Sequence, residues 1–424
     1  MENNVPEWSP QQDKALVSVS RWLDNPGDKQ LFRLFGYAGT GKTTLARHLA
    51  EGVDGSVLFA AFTGKAASVL RASGAPNAQT LHSLIYTPKE RSRERYNELK
   101  QELEDVQFMI HEDRLESGND PDFKPRQDHL DRIERLQGEI KAEEKNSKRP
   151  DFSLNLESPL RDASLLVVDE CSMVDEEMAQ DILSFKTPVL VLGDPAQLPP
   201  VRGTGYFTDA TPDIMLTEIH RQARDNPIID LATRVRSGQR LAPGLYGESS
   251  VISRATPELA LASDQVLVGL NRTRVSTNRR MRELKGFTAS RFPLEGEKLV
   301  CLRNDKDHGL LNGTLHVSLT DSEEVGGYIN LRIRPEDAPG AEPLLVPAHP
   351  EHFNGDPEQI GYWDRRNAQE FTYGYALTVH KSQGSQWSNV LIIDESGSFR
   401  DPSTRQKWLY TAITRAQDKV TVVG

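Results

Sequence analysis

A two-unit α/β fold is what the 424-residue sequence predicts, on three observations. Short apolar runs recur along the chain, each followed by turn residues and an amphipathic stretch, which is the pattern of parallel strands joined by crossover helices. The pattern occurs in two series. Each series is broken by a long stretch of different composition, so each unit is expected to carry an insert.

The first series places strands at 31–35, 57–62, 165–169 and 189–193. A glycine-rich segment, Gly36 to Thr44, follows the first strand and leads into the amphipathic 45–49, so strand, loop and helix are expected in that order. Residues 89–149 then change character. About half of them are charged, and the apolar Leu99, Leu103, Val106 and Ile110, then Leu130, Ile133, Leu136 and Ile140, recur every three or four positions. The polar, Gly- and Pro-containing 117–124 lies between the two sets, so the stretch reads as a helical hairpin.

In the second series a helix is marked at both ends: Asn226 as cap, Pro227 at the first position, Ile228, Ile229, Leu231, Ala232 and Val235 as the buried stripe, and Gly238 as the stop. Strands are expected at 266–270, 390–394 and 420–423. Within this series, residues 292–363 alternate in short runs, 298–302, 314–319 and 328–333, punctuated by Asn-Gly, Gly-Gly and prolines. A small β-barrel or curled sheet follows. The expected organisation is residues 1–88 with 150–205 as the first domain and 89–149 as its helical insert. Residues 206–291 with 364–424 form the second domain, and 292–363 its β-rich insert.

Charge and composition narrow the functional classes. With 62 acidic against 51 basic residues the net charge is −11, so any polyanion must be bound in a local groove of opposite sign. Two cysteines, Cys171 and Cys301, supply neither a disulfide framework nor a structural zinc site. No apolar run approaches the length of a membrane span, and the N-terminus lacks the basic start and apolar core of a signal peptide. A cytosolic location is the expectation.

The chemistry-bearing residues sit at strand ends. In Gly36-Tyr-Ala38-Gly39-Thr40-Gly41-Lys42-Thr43-Thr44 the glycines let backbone amides close around a β-phosphate at a helix N-terminus. Lys42 reaches the β- and γ-phosphates and the Thr43 hydroxyl binds Mg²⁺. Such a loop needs a carboxylate for the metal and another for the water, and Asp169 and Glu170 at the end of a buried strand provide them. Two adjacent acids after a strand are otherwise a solvated turn. A third strand end, Gly193-Asp194-Pro195-Ala-Gln197-Leu-Pro199-Pro200, carries a glutamine able to sense the γ-phosphate on a loop stiffened by prolines.

Taken in order, these segments resemble superfamily 1 helicases, closest to the RecD-like and Dda-like branch, superfamily 1B. The resemblance runs over nearly the whole chain: Trp8-Ser-Pro-Gln-Gln12, the P-loop, Phe62-Thr63-Gly-Lys65, Thr80-Leu-His82-Ser83, the Asp-Glu pair, the Gly193–Pro200 segment, Leu216-Thr-Glu-Ile-His-Arg221, Tyr375 to Gln386 and Tyr410-Thr411-Ala-Ile-Thr-Arg415. It implies two RecA-like domains, the second without a P-loop and with an SH3-like insert, and ATP with Mg²⁺ in the cleft between them. It assigns adenine to Gln12, with the adjacent Gln11 as alternative, Gly384 to the nucleotide side, and Arg221 and Arg415 to the γ-phosphate from across the cleft. Thr63, Lys65, Thr80, His82, Thr378, His380 and Lys381, with Asn271 and Thr273, would line a groove for single-stranded DNA. The chain departs from the family at 89–149, where relatives carry a short β-hairpin pin that splits the duplex.

The resemblance therefore implies an ATP-dependent DNA helicase moving 5′ to 3′ on single strands and acting at single-strand/duplex junctions. A monomer with no membrane contact is expected, with single-strand-binding, replication or repair proteins as partners. Two alternatives stay open at this level: an RNA helicase or translocase of the same superfamily, since phosphate contacts hardly distinguish the sugars, and a P-loop NTPase switch acting through protein partners.

Overall fold

The computed structural model describes residues 8–25, 27, 29–88, 94–116, 123–147, 152–200, 205–218, 226–305, 307–354, 357, 360, 365 and 367–424. The chain divides into two compact units, residues 1–85, 155–356 and 369–424 in one, and 86–154 with 357–368 in the other.

The larger unit holds two six-stranded sheets of the expected α/β kind. The first has β1 (Leu31–Gly36), β2 (Val57–Ala61), β3 (Gln79–Thr80), β4 (Leu165–Asp169), β5 (Val189–Gly193) and β6 (Ile214–Leu216), in the order β3-β2-β4-β5-β1-β6. Every pairing in it is parallel. Parallel strands are covered on both faces, which is why the central β5 is an uninterrupted apolar run buried at all of its positions. Because β5 lies between β1 and β4, the glycine loop after β1 and the carboxylates after β4 flank the end of β5 at Gly193–Asp194. Three strand ends thus converge on one edge of the sheet.

The second sheet has β7 (Gly244–Tyr246), β8 (Ser249–Ile252), β9 (Gln265–Val268), β10 (Ala376–Thr378), β11 (Trp387–Ile393) and β12 (Ala416–Val423), in the order β10-β9-β11-β12-β8-β7. Only β7 and β8 pair antiparallel. Its boundaries depart from the sequence expectation for physical reasons. β9 stops at Val268 because the Gly269 and Leu270 amides donate to Glu395 at 2.7 and 3.0 Å instead of to the ladder. β12 begins before its apolar run, through the exposed Gln417 and Asp418, because Ala416 and Lys419 already pair with Trp387 and Asn389 of β11 across a β-bulge, and a strand needs ladder partners and not continuous burial. The helix Pro227–Arg236 forms as expected, with the Asn226 side chain accepting from the Ile228 amide at 2.8 Å. Its buried residues join Trp408, Tyr410 and Ile413 of the helix Pro402–Ile413 in one apolar cluster that also takes in Leu198, from the segment after β5.

Between β9 and β10 the chain builds a separate, mainly antiparallel sheet from Lys298–Cys301, Leu315–Ser318, Glu324–Val325, Tyr328–Pro335, Leu344–Ala348 and Phe371–Tyr373. The last strand lies beyond the stretch that composition marks as an insert. A buried ion pair fastens this sheet to the helix Asn271–Leu284. Arg282 Nε and Nη2 donate to the two Glu297 oxygens at 2.7 and 2.9 Å, with Glu297 fully buried, and the guanidinium lies over the Tyr373 ring, 4.3 Å from its centroid.

In the smaller unit the helices Glu94–Glu116 and Gln127–Ser147 pack through Leu99, Val106, Leu136 and Ile140, joined by Tyr96. Leu130, expected in the same stripe, is 41% exposed. Arg95–Glu139 and Arg132–Glu102 ion pairs link the two helices, and Tyr86–Pro88 pairs antiparallel with Phe152–Leu154 at the base.

Removing one partner of the buried pair is expected to cost far more than removing both. Arg282→Met strands the Glu297 carboxylate and should destabilise by about 3–5 kcal/mol, read as a lower urea midpoint. The double change Arg282→Met with Glu297→Gln should recover most of that loss, and an Arg282→Met midpoint equal to wild type would show the pair contributes nothing.

Candidate functional site

The loop after β1 is shaped by backbone conformation. Gly39 and Gly41 both have φ of 77°, a region that side chains rarely enter, and a Cβ on Gly41 would stand 2.8 Å from Gln12 Nε2. The helix Lys42–Glu51 starts at Gly41 with no side-chain cap. Its first amides therefore keep their donors for an anion, which the helix dipole also favours.

Around that loop the polar groups are already oriented. Lys42 Nζ donates to the carbonyls of Gly36 and Tyr37 at 2.7 and 3.1 Å, and Thr40, 1% exposed, donates its hydroxyl to Tyr37 O at 2.8 Å. Gln12 is buried, accepts from the Ser9 amide at 2.9 Å and donates to Thr40 O at 3.1 Å. Gln11 instead accepts from the Thr217 and Glu218 amides at 2.7 and 3.0 Å. Thr44 is exposed on the helix surface.

Thr43 Oγ1 donates to Asp169 Oδ2 at 2.8 Å, so hydroxyl and carboxylate lie together where a divalent ion would bridge them. Among the described residues no group of three or more His, Cys, Asp or Glu could hold a metal by itself. The pair suits Mg²⁺, which takes one or two protein oxygens and completes its shell with phosphate and water. Burial raises the Asp169 carboxyl to about 6, and the neighbouring Glu170 charge adds to the rise. Glu170 has φ 52°, a left-handed conformation unusual outside glycine, and its amide donates to Asp169 Oδ1 at 2.8 Å.

The far wall belongs to the second sheet. Gln197 lies between Glu170 and Arg415, and assigning its amide with the nitrogen toward Glu170 Oε2 at 3.0 Å and the oxygen toward Arg415 Nη2 at 3.3 Å satisfies both. Arg415 is 3% exposed, and Thr411 O and Ser385 O hold its guanidinium at 3.1 and 3.4 Å. Tyr410, to which the sequence assigns no role, accepts from the Ala38 amide at 3.0 Å and donates to Asp194 at 2.6 Å. Burial raises the Asp194 carboxyl, and the Tyr410 hydroxyl is pushed up by burial first and by the Asp194 charge second. Arg221 lies outside the described residues.

The residues assigned to the strand divide by what their side chains already do. Thr63 caps the helix Gly64–Ala72, accepting from Ala66 N at 3.1 Å, and Thr378 caps the turn Val379–Ser382, accepting from Lys381 N at 3.4 Å. Thr80 pairs with Ser83 at 2.9 Å, and Thr273 donates to Glu395 at 2.6 Å. Asn271 Oδ1 accepts from Arg274 Nε at 3.4 Å. Lys65 Nζ pairs with Asp337, and Lys381 is exposed. Burial lowers the pKa of both His82, where Asp175 opposes it, and His380, which favours uncharged rings at neutral pH. Gly384 draws the two halves together: at φ 76°, its Cβ would lie 2.8 Å from Ala66 Cβ and 3.0 Å from Thr63 Oγ1.

Comparison with known proteins bears on this geometry. Residues 25–256 match the AAA domain family and 373–423 the UvrD-like helicase C-terminal domain. The ATP-dependent RecD2 DNA helicase of Deinococcus radiodurans is 29% identical over 290 residues, covering 61% of this chain and 36% of that protein. The RecBCD enzyme subunit RecD of Mycobacterium tuberculosis is 27% identical over 301 residues, covering 62% and 49%. The chain thus spans less than half the length of these relatives. In fold it is similar to a Pif1 helicase solved in work on unwinding of forked duplex DNA, with TM-score 0.51, 18% identity, and 98% and 92% of the two chains covered. It is similar also to a Bacteroides Pif1 complexed with ADP-AlF3 and single-stranded DNA, with TM-score 0.50, 17% identity and the same coverage.

The raised Asp169 carboxyl has a stability consequence. The folded protein binds that proton more tightly than the unfolded chain, so the penalty for the ionised form is complete above about pH 6 and absent below about pH 3.8. Asp169→Asn should therefore raise the melting temperature of the nucleotide-free protein at neutral pH, with a gain that shrinks as pH falls through 6. A gain independent of pH in thermal unfolding would show that the carboxyl is not held up.

Proposed function

The chain belongs to the AAA-domain family, in the RecD- and Pif1-like branch of superfamily 1 helicases, and from that premise we propose an ATP-dependent motor that moves 5′ to 3′ on single-stranded DNA and opens duplex. The observation that carries it is the position of Gln197 between Glu170 of the first sheet and Arg415 of the second domain, where one amide orientation bonds both. A second-domain guanidinium held, through Gln197, next to the carboxylate beside a P-loop couples domain closure to ATP turnover. A switch working through a protein partner has no need of that arrangement.

In this reading ATP lies along the Gly36–Thr44 loop, and Lys42 leaves the Gly36 and Tyr37 carbonyls for the β- and γ-phosphate oxygens. Thr43 and Asp169 would hold Mg²⁺, which when bound neutralises phosphate charge. Glu170 orients the attacking water and takes its proton, and its constrained backbone keeps the carboxylate aimed at the cleft. Arg415 stabilises charge on the phosphoryl oxygens, with Arg221 proposed beside it. Gln197 senses the γ-phosphate and, through the loop on which it sits, passes its loss to the second domain.

In this reading the strand runs past the point where Gly384 meets Thr63 and Ala66, because that contact joins the two domains and would change on opening of the cleft. Alternate grip on either side of it converts closure into net movement. Uncharged histidines and hydroxyl-capped turns suit a motor that must release phosphate contacts at every step, and such contacts carry no base sequence.

ATP turnover should rise several-fold or more with single-stranded DNA, and partial duplexes with a 5′ overhang should unwind while those with a 3′ overhang do not. Greater stimulation by single-stranded RNA would move the substrate to RNA. Glu170→Gln is expected to bind ATP with near wild-type affinity and lose about 10²-fold or more in kcat. Turnover within threefold of wild type would remove Glu170 from the role of base.

Residues 89–149 enter the sequence between the strand-contacting motifs and the Asp-Glu pair, and their helices zip through a narrow apolar seam under mixed charge. A steric role on the duplex fits better than phosphate binding. Replacing 90–148 with a short Gly-Ser linker should leave DNA-stimulated ATPase largely intact and lower unwinding sharply. Equal unwinding by both forms would place strand separation elsewhere.

A further inference from the structure

Arg236 is the last residue of the helix Pro227–Arg236 in the second domain, and no sequence motif calls attention to it. Gln406 Nε2 anchors the helix end, donating to Val235 O at 2.9 Å and to Arg236 O. From there the half-buried Arg236 side chain reaches the first domain and lies over the Tyr37 ring, its guanidinium carbon 3.5 Å from the centroid. Tyr37 is the second residue of the glycine-rich loop.

Two features separate this contact from an ordinary surface stack. Among the described residues the Arg236 guanidinium has neither a carboxylate nor a hydrogen-bond acceptor. Stacking uses the face of the group and leaves its N–H edge free. The position is also specific. The Tyr37 carbonyl receives Lys42 Nζ at 3.1 Å, the amine that goes to the β- and γ-phosphates, and the next amide, Ala38, bonds Tyr410. The Arg236 charge opposes the upward push on the Tyr410 hydroxyl, which puts it within electrostatic reach of the same spot.

We propose that Arg236 is a further nucleotide-contacting residue, a cross-cleft arginine that binds the terminal phosphate of a nucleoside triphosphate while the Tyr37 ring holds it in place. The proposal rests on the nucleotide cleft described above and adds a ligand that family motifs do not supply. The aromatic face confines the guanidinium before nucleotide arrives, so little rotamer freedom is lost when its edge meets phosphate. A diphosphate lacks the group that the edge would meet. Arg236 therefore distinguishes ATP from ADP, and the same contact draws the second domain onto the loop only in the triphosphate state.

Equilibrium titration of the full chain with fluorescent mant-ADP and mant-AMP-PNP in magnesium buffer tests this without requiring turnover. Arg236→Ala should weaken the triphosphate analogue about tenfold, the size of one charge-assisted hydrogen bond, and change mant-ADP affinity less than about twofold. Tyr37→Phe, which keeps the ring, should retain the wild-type ratio, and Tyr37→Leu should lower it. Retained ADP affinity shows that each variant is folded. Equal weakening of both nucleotides, or of neither, overturns the proposal while leaving the cleft intact. A wild-type chain that binds neither nucleotide overturns the cleft reading and the proposal with it.

Discussion

One buried phenol hydroxyl holds the two halves of the nucleotide cleft in register. Tyr410 Oη accepts a hydrogen bond from the phosphate-loop amide of Ala38 and donates to Asp194 at the end of β5. Asp194 is 2% exposed, and a carboxylate so buried is costly without donors. Tyr410 supplies one from the second domain. Around this contact Leu198 N donates to Thr411 Oγ1 at 2.9 Å and Gln383 Nε2 to Leu198 O at 2.9 Å. The loop after β5 is thus bonded to the second domain along its length, and apolar contact of Leu198 with the second-sheet cluster seals it. Separating the domains means breaking these bonds together, so the cleft has the character of a two-state element and not of a soft hinge.

The site also keeps its charges apart until a ligand unites them. Asp169, Glu170 and Asp194 stand on the first sheet, Arg415 and Arg236 on the second domain, and Lys42 is folded onto carbonyls of its own loop. Burial is the larger cause of the raised Asp169 carboxyl, and repulsion from the neighbouring Glu170 adds to it. Metal and triphosphate would relieve that repulsion on one wall and the unpaired cations on the other. Binding energy is then available to closure, as coupling of a chemical step to domain movement requires.

On the nucleic-acid side, hydroxyls that a residue-by-residue reading assigns to phosphates are already spent on local structure. Thr63 and Thr378 cap turns, and Thr273 helps Glu395 terminate β9. Capping of this kind is worth about 1 kcal/mol, and it fixes where the following backbone amides and the exposed cations stand. In the proposed groove these threonines would accordingly contribute shape and not free donors. Lys65 is similarly engaged, by Asp337 of the inserted sheet, in a partly exposed ion pair of the kind that is cheap to exchange for a phosphate.

Local chemistry was enough to read much of this protein from the chain alone. Strand-loop-helix order around Gly36–Thr44, the carboxylates after β4, the capped helix at Pro227 and the two apolar seams of 94–147 depend on spacing, turn conformation and periodicity within a few residues. Burial by long-range neighbours is not written there. The exposure of Leu130, the start of β12 among polar residues and the early end of β9 at Glu395 each depend on a partner distant in sequence. The same holds for the roles of Tyr410, Arg236 and Glu395. Tyr410 heads a motif that gives it no role, and Arg236 and Glu395 stand in none. Only the convergence of strand ends from two sheets brings Tyr410 and Glu395 to the phosphate loop and the helix start where their polar atoms find partners, and lays Arg236 over Tyr37.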